Sequence, residues 1–116
     1  MTRSVLVVDD DPEFRKLAER LLAASGLTVI GEADSVATAL GAALELKPSA
    51  MLVDIELPDG DGVTLARELA ALPWRPRIVL TSIDGDITTT GEARLAGARA
   101  FVNKADLPVL LGAARW

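Results

Sequence analysis

The chain has 116 residues, 50% of them apolar and only 3% aromatic, with no cysteine, no histidine and a formal net charge of −5. That length fits one domain, taken here as residues 1–116, with a core of Val, Leu, Ile and Ala. The composition excludes disulfides, cysteine–zinc sites, Ser–His and Cys–His catalytic pairs, histidine metal clusters and a phosphohistidine on this chain, and it argues against a general electrostatic grip on nucleic acid.

No apolar run approaches the length of a membrane span. The start, "MTRSVLVV", enters a Val-rich run without a small-residue cleavage site, so it does not read as a signal peptide. A soluble, cytoplasmic protein is expected.

The first predicted strand is "VLVV" (5–8), and it runs into Asp9, Asp10 and Asp11. Two full charges 4 Å apart repel by about 4 kcal/mol at an effective dielectric near 20, so three adjacent acids need a reason. Pro12 suits the first position of a helix and Asp11 its N-cap, which accounts for one of the three. That helix, "PEFRKLAERLLAASG", carries Phe14, Leu17, Leu21 and Leu22 as an apolar stripe, and Gly26 suits its stop.

"LTVI" (27–30) is the second strand. Ser35 can cap a second helix with Val36, Leu40, Ala43 and Leu44 on its buried face, and Pro48 ends it. "AMLV" (50–53) is the third strand, followed by Asp54 and the turn-forming "LPDGDG". A third helix is expected from about Val63 to Leu72, before Pro73. "RIVL" (77–80) leads to Thr81 and Ser82. The fourth helical segment, "DGDITTTGEARLAG", is weak, with three Thr and a Gly. "AFV" (100–102) precedes Lys104, and a fifth helix starts near Leu107.

The runs are apolar throughout, as in strands covered on both faces. A (βα)5 alternation predicts a doubly wound, five-stranded parallel α/β sheet in the order 2-1-3-4-5, with ligands at the carboxyl ends of the strands. Taken singly, the residues there are ordinary. Asp54 is a turn former, Thr81 a strand residue and Lys104 a solvated lysine. Together they bring three carboxylates, a hydroxyl and an ammonium to one cleft. Trp74, in "LPWRP", is expected at the opposite end.

The pieces "VVDD", "VDIELPDGDG", "LTS" and "GARAFVNK", in order and over essentially the whole chain, resemble a response-regulator receiver domain of two-component signalling. The resemblance implies the flavodoxin-like receiver fold and a phosphoprotein that switches on forming an aspartyl phosphate. It implies Asp54 as the phosphoryl acceptor. Asp9, Asp10, Asp54 and the backbone carbonyl of Glu56 would hold Mg²⁺, or Mn²⁺ in its place. Thr81 and Lys104 would meet the phosphoryl oxygens, and Thr81 and Phe101 would act as the switch. Such a domain is a phosphoryl acceptor rather than an enzyme, with at most slow self-phosphorylation from small donors and slow self-dephosphorylation.

The partners implied are a histidine kinase or a histidine phosphotransfer protein of a phosphorelay, an output domain or partner protein, and a second copy on phosphorylation. No nucleic acid or membrane is expected to bind this domain directly. Three positions depart from the common pattern: Ala105 follows the lysine where many members have Pro, Ser82 stands for the commoner Ala, and Phe101 lacks a Tyr hydroxyl. The Ala105 variant fits the branch with helix-turn-helix outputs that regulate transcription. The fourth helical segment, poor in helix formers, suits a moving element. The short last helix fits either a stand-alone receiver or one followed by an output domain. Two alternatives stand beside this reading. One is a degenerate receiver that binds partners without phosphorylation. The other is a Mg²⁺-dependent aspartyl-phosphate phosphatase, although Glu13 breaks its D-x-D-x-[TV] pattern. A calcium loop starting at Asp59 fails at Val63 and Ala70.

Overall fold

The computed structural model describes residues 3–83 and 96–108. Along the chain come β1 (Ser4–Val8), α1 (Pro12–Ala24), β2 (Thr28–Ala33), α2 (Val36–Leu46), β3 (Ala50–Asp54), β4 (Glu56–Leu57), β5 (Gly60–Asp61), α3 (Gly62–Ala70), β6 (Arg77–Ser82), β7 (Ala100–Asn103) and a 3-10 turn (Lys104–Asp106). Five strands pair in parallel in the order β2-β1-β3-β6-β7. This is the expected doubly wound order. "LPDGDG" does more than turn: β4 and β5 form a small antiparallel hairpin beside the sheet. The segment 84–95, where the fourth helix is expected, and residues 109–116 of the fifth lie outside the described residues. No helix among the described residues is long and apolar enough to cross a membrane.

Successive strand residues point to opposite faces, which divides the core in two. Leu6, Val8, Met51, Val53, Ile78 and Leu80 pack with α2 and α3. Val5, Val7, Leu52 and Val79 pack with Phe14, Ala18 and Leu22 of α1 and with Leu107. Phe14, Leu22 and Ala43 are buried as expected, but the helix stripes differ elsewhere. On α1 the buried ladder is Phe14, Ala18 and Leu22, while Leu17 is 48% exposed. On α2 it is Ala39 and Ala43, while Leu44 is 58% exposed. Alanines at the contact let both helices lie close to the sheet, and the neighbouring leucines are displaced to its margin. β2 extends three residues beyond the expected end, because its pairing with β1 continues through Val8↔Ala33. α3 begins one residue early and ends at Ala70, with Leu72 in the turn that follows.

Helix ends are satisfied locally. The Asp11 carboxylate accepts the Glu13 N–H at 2.9 Å, as an N-cap should. At the other end Gly26, with φ +84°, lets Leu27 and Gly26 donate to the carbonyls of Leu22 and Ala23. Trp74 lies at the amino ends of the strands, where its indole donates to the Pro48 carbonyl at 3.0 Å.

α2 draws its cap from two places. Ser35 Oγ accepts the Thr38 N–H at 3.1 Å, and Asp59, from the β4–β5 hairpin, accepts the Val36 and Ala37 N–H groups at 2.7 and 3.1 Å. These two backbone donors hold the Asp59 carboxyl below its ordinary value. A depressed carboxylate contributes stability above its unfolded pKa and loses it as pH falls through the folded one. Asp59→Ala should therefore melt below the parent at neutral pH. The gap should be full above about pH 5 and should close below about pH 4. Thermal melts of both proteins across that range check this.

Candidate functional site

The carboxyl ends of β1, β3, β6 and β7 converge. Asp9 follows β1, is fully buried, and still pairs through its N–H with the Ala33 carbonyl at 3.0 Å. Its Oδ1 accepts the Asp11 N–H at 2.9 Å. Asp54 is the last residue of β3 and is 6% exposed. Its Oδ1 accepts the Glu56 N–H at 3.1 Å. Thr81 faces Asp54 across the β3–β6 pairing, and its carbonyl accepts the Ile55 N–H at 3.0 Å.

Lys104 opens the 3-10 turn after β7. Its Nζ lies 2.7 Å from Asp9 Oδ2 and 3.3 Å from Asp54 Oδ2. The contact with Asp9 is an ion pair without hydrogen-bond alignment. The ammonium also sits 4.5 Å from the centre of the Phe14 ring, a cation–π contact. Asn103 anchors the turn: its Oδ1 accepts the Ala105 N–H at 2.9 Å and its Nδ2 donates to the Ile83 carbonyl at 3.1 Å.

The charges are strongly coupled. Burial raises the pKa of Asp54. The Glu56 N–H and Lys104 act against that rise, and Asp9 adds to it. Burial alone would lower Lys104, but Asp9 and Asp54 outweigh it and hold its pKa above the ordinary value. Asp10 is exposed beside them. Three carboxylates against one ammonium leave an excess of two negative charges when all are ionised.

One oxygen from each of Asp9, Asp10 and Asp54 lies within 4.8 Å of the others. Hard oxygen donors with a double negative excess fit a hard divalent cation such as Mg²⁺. Thr81 Oγ1 is buried without a hydrogen-bond partner among the described residues. It is an orphaned group at the mouth of a charged cleft, suited to an incoming oxyanion. Glu56 opens β4 with its side chain exposed. Phe101 pairs with Leu80 in the sheet and is partly buried against the α2–α3 side of the core.

Three contributors were not legible as such. Phe14 reads as a core residue and also supports the lysine. Arg15 donates from Nη1 to the Asp9 carbonyl at 2.7 Å. Gly62 reads as turn chemistry, yet a Cβ there would lie 2.2 Å from the Asp54 carbonyl oxygen and 2.7 Å from Ile55 Cα. Its N–H donates to the Ile55 carbonyl at 2.9 Å, so α3 starts directly on the backbone of the candidate acceptor. The one advance signal was a glycine four residues after the hairpin proline, followed by a helical pattern.

An acidic pair, a strand-end aspartate, a hydroxyl and a lysine on the carboxyl edge of this sheet define a receiver-type module. Residues 5–115 match the response regulator receiver domain, and the chain belongs to that family. It is 31% identical over 104 residues to the chemotaxis protein CheY of Bacillus subtilis, covering 90% of this chain and 87% of that one. It is 37% identical over 105 residues to the DNA-binding transcriptional activator DevR/DosR of Mycobacterium tuberculosis, covering 90% of this chain and 48% of the relative. The chain thus spans most of a CheY but about half of that regulator. Among solved structures, the response regulator domain of Thermotoga maritima CheB superposes with a TM-score of 0.85 at 26% identity, covering 99% of this chain and 95% of that one. A LuxR-family two-component response regulator from Aurantimonas sp. SI85-9A1 gives a TM-score of 0.85 at 26% identity, covering 98% and 82%.

Two substitutions separate stability from site chemistry. Gly62→Ala forces a side chain into immovable backbone and should cost about 1–3 kcal/mol in urea unfolding. Thr81→Val removes an unpartnered buried hydroxyl and should raise stability by about 1 kcal/mol or more. A Thr81→Val protein markedly less stable than the parent would mean that the hydroxyl is satisfied in solution.

Proposed function

We propose that the chain is a phosphorylation-dependent switch of a two-component system, with Asp54 as the acceptor. The observation that carries this reading is the placement of Lys104 Nζ 3.3 Å from the buried Asp54 carboxylate, beside the unpartnered Thr81 hydroxyl. The donor is a phosphohistidine on a partner kinase or phosphotransfer protein, since this chain has no histidine. An Asp54 oxygen forms the new P–O bond as the P–N bond of the donor breaks. The electron pair leaves on the imidazole nitrogen, which takes a proton from solvent.

Asp9, Asp10 and Asp54, with the Glu56 carbonyl, would hold Mg²⁺. When bound, that ion neutralises charge building on the phosphoryl oxygens. Lys104 supplies a second cation, as a compact point charge on a flexible stem. Thr81 donates its hydroxyl proton to a phosphoryl oxygen.

Phosphorylation adds about 1.5 to 2 negative charges and three acceptor oxygens at Asp54. Thr81 on β6 and Lys104 after β7 then close on one new anion, Phe101 repacks, and the face around β7 changes toward the output. With no hydroxyl on Phe101, that repacking works through burial alone. The domain acts as an acceptor with slow self-phosphorylation and self-dephosphorylation, not as a turnover enzyme. The 37% identity to a DNA-binding activator supports a transcriptional output on a neighbouring domain or partner. The net charge of −5 argues that this domain does not itself hold the DNA.

Treatment with acetyl phosphate and Mg²⁺ should add one phosphate by intact mass to the parent and none to Asp54→Asn. An Asp54→Asn protein that gains the same label would end the assignment. Mg²⁺ alone should raise the melting temperature, because binding at ten times Kd contributes about 1.4 kcal/mol to the native state. Asp10→Ala should lose most of that response and be more stable than the parent without metal. A lower melting point with an unchanged Mg²⁺ response would remove Asp10 from the site.

A further inference from the structure

Arg15 lies outside every role so far assigned, yet it holds a central position. β1 ends at Val8, and beyond it the Asp9 N–H still bonds to Ala33 of β2, while the Asp9 carbonyl accepts from a side chain. The Arg15 guanidinium takes up that carbonyl through Nη1 at 2.7 Å. Its Nε donates to Glu32 Oε1 at 2.9 Å. Glu32 belongs to β2 and faces Val7 of β1 in register. One planar cation on α1 thus ties the acidic turn to the edge strand.

The carbonyl concerned is half of the peptide unit that joins Asp9 to Asp10. Rotating that unit would swing the Asp10 side chain. The Asp9 carboxylate has its own restraints, the Asp11 N–H at 2.9 Å and the Lys104 ammonium at 2.7 Å. Asp10 has none: its exposed carboxylate makes no hydrogen bond or ion pair among the described residues. Its oxygen nevertheless lies within 4.8 Å of oxygens of Asp9 and Asp54. With no side-chain partner among the described residues, its place depends on the direction of the backbone, and the Arg15 bond acts on the Asp9 carbonyl of that peptide.

We propose that Arg15, anchored by Glu32, is a positioning residue that orients the Asp9–Asp10 peptide so that the Asp10 carboxylate joins Asp9 and Asp54 on one divalent cation. The role rests on the cation site of the preceding section. An arginine suits it because the guanidinium presents separate donors in a fixed plane, one for each partner, which an ammonium cannot do.

A simpler role predicts the opposite sign. As a mere positive charge near the acids, Arg15 opposes cation binding, and removing it would tighten Mg²⁺. As a merely structural salt bridge, with side chains 20% and 40% exposed, it would change the melting temperature and leave Mg²⁺ affinity alone.

The test is calorimetric titration of the unphosphorylated protein with MgCl₂. Arg15→Gln should weaken Mg²⁺ by about tenfold, the lower end of the losses seen when an outer contact that orients a ligand is removed. Arg15→Lys keeps the charge and should lose nearly as much. Glu32→Ala, which leaves Arg15 in place but removes its Oε1 partner, should lose part of it and keeps the test open if the Arg15 variants fold poorly. In an Asp10→Ala background, Arg15→Gln should have little further effect. Variants that bind Mg²⁺ as tightly as the parent, or tighter, would overturn the positioning role while leaving the cation site intact. A parent that takes up no Mg²⁺ would overturn the cation reading and this role with it.

Discussion

A single ammonium shared by two buried carboxylates governs this molecule. Asp9 is fully buried and Asp54 nearly so, and Lys104 lies 2.7 and 3.3 Å from them. A buried ion pair often adds little net stability, because desolvation offsets attraction, whereas stripping one partner from it is expensive. One lysine cannot balance the two buried acids together with Asp10. The arrangement is therefore unbalanced as an electrostatic unit: it carries a negative excess and, among the described residues, a buried Thr81 hydroxyl without a hydrogen-bond partner. A chain selected for stability alone would have removed these features.

The supporting structure is correspondingly rigid. Gly62 lets α3 begin against the carbonyl of Asp54, and the preceding hairpin reaches across to cap α2 through Asp59. The candidate acceptor, Asp54, thus lies between a strand buried along its length and a helix start with no room for a Cβ. On the other side the Phe14 ring and the two acids confine Lys104. Such confinement would limit the motion of the groups proposed to react and reduce the entropy lost on reaching a reactive geometry.

What was legible in the sequence followed from local rules with little competition. Five apolar, β-branched runs gave the sheet, and right-handed crossovers gave its order. Asp11 before Pro12 and Gly26 after the last helical turn marked the ends of α1, and both are seen in those roles. The errors came where packing outweighed pattern. Leu17 and Leu44 looked like core positions, but Ala18 and Ala39 took buried places beside the expected Phe14, Leu22 and Ala43. The hairpin of β4 and β5 has two residues per strand, too few for any period to show. Gly62 and Arg15 were missed for a different reason. What each does depends on a backbone carbonyl brought near by the fold, and no side-chain pattern encodes that.

The coupling of the site to its surroundings can be followed through the backbone. Lys104 is adjacent to Asn103, which pairs with Ser82 in the sheet and donates to the Ile83 carbonyl at 3.1 Å. Ile83 is 78% exposed and follows β6 directly, two residues after Thr81. The two groups proposed to contact a phosphoryl group are therefore held on neighbouring strands that the Asn103–Ile83 contact links. Any event that draws Lys104 from Asp9 toward new oxygens on Asp54 pulls on the Asn103–Ile83 contact, and movement of Thr81 reaches the same contact through Ser82 and Ile83. A new anion would act on both strands at once. That gives a concerted two-state response a physical basis in this chain, because neither strand end can move without straining the link it shares with the other.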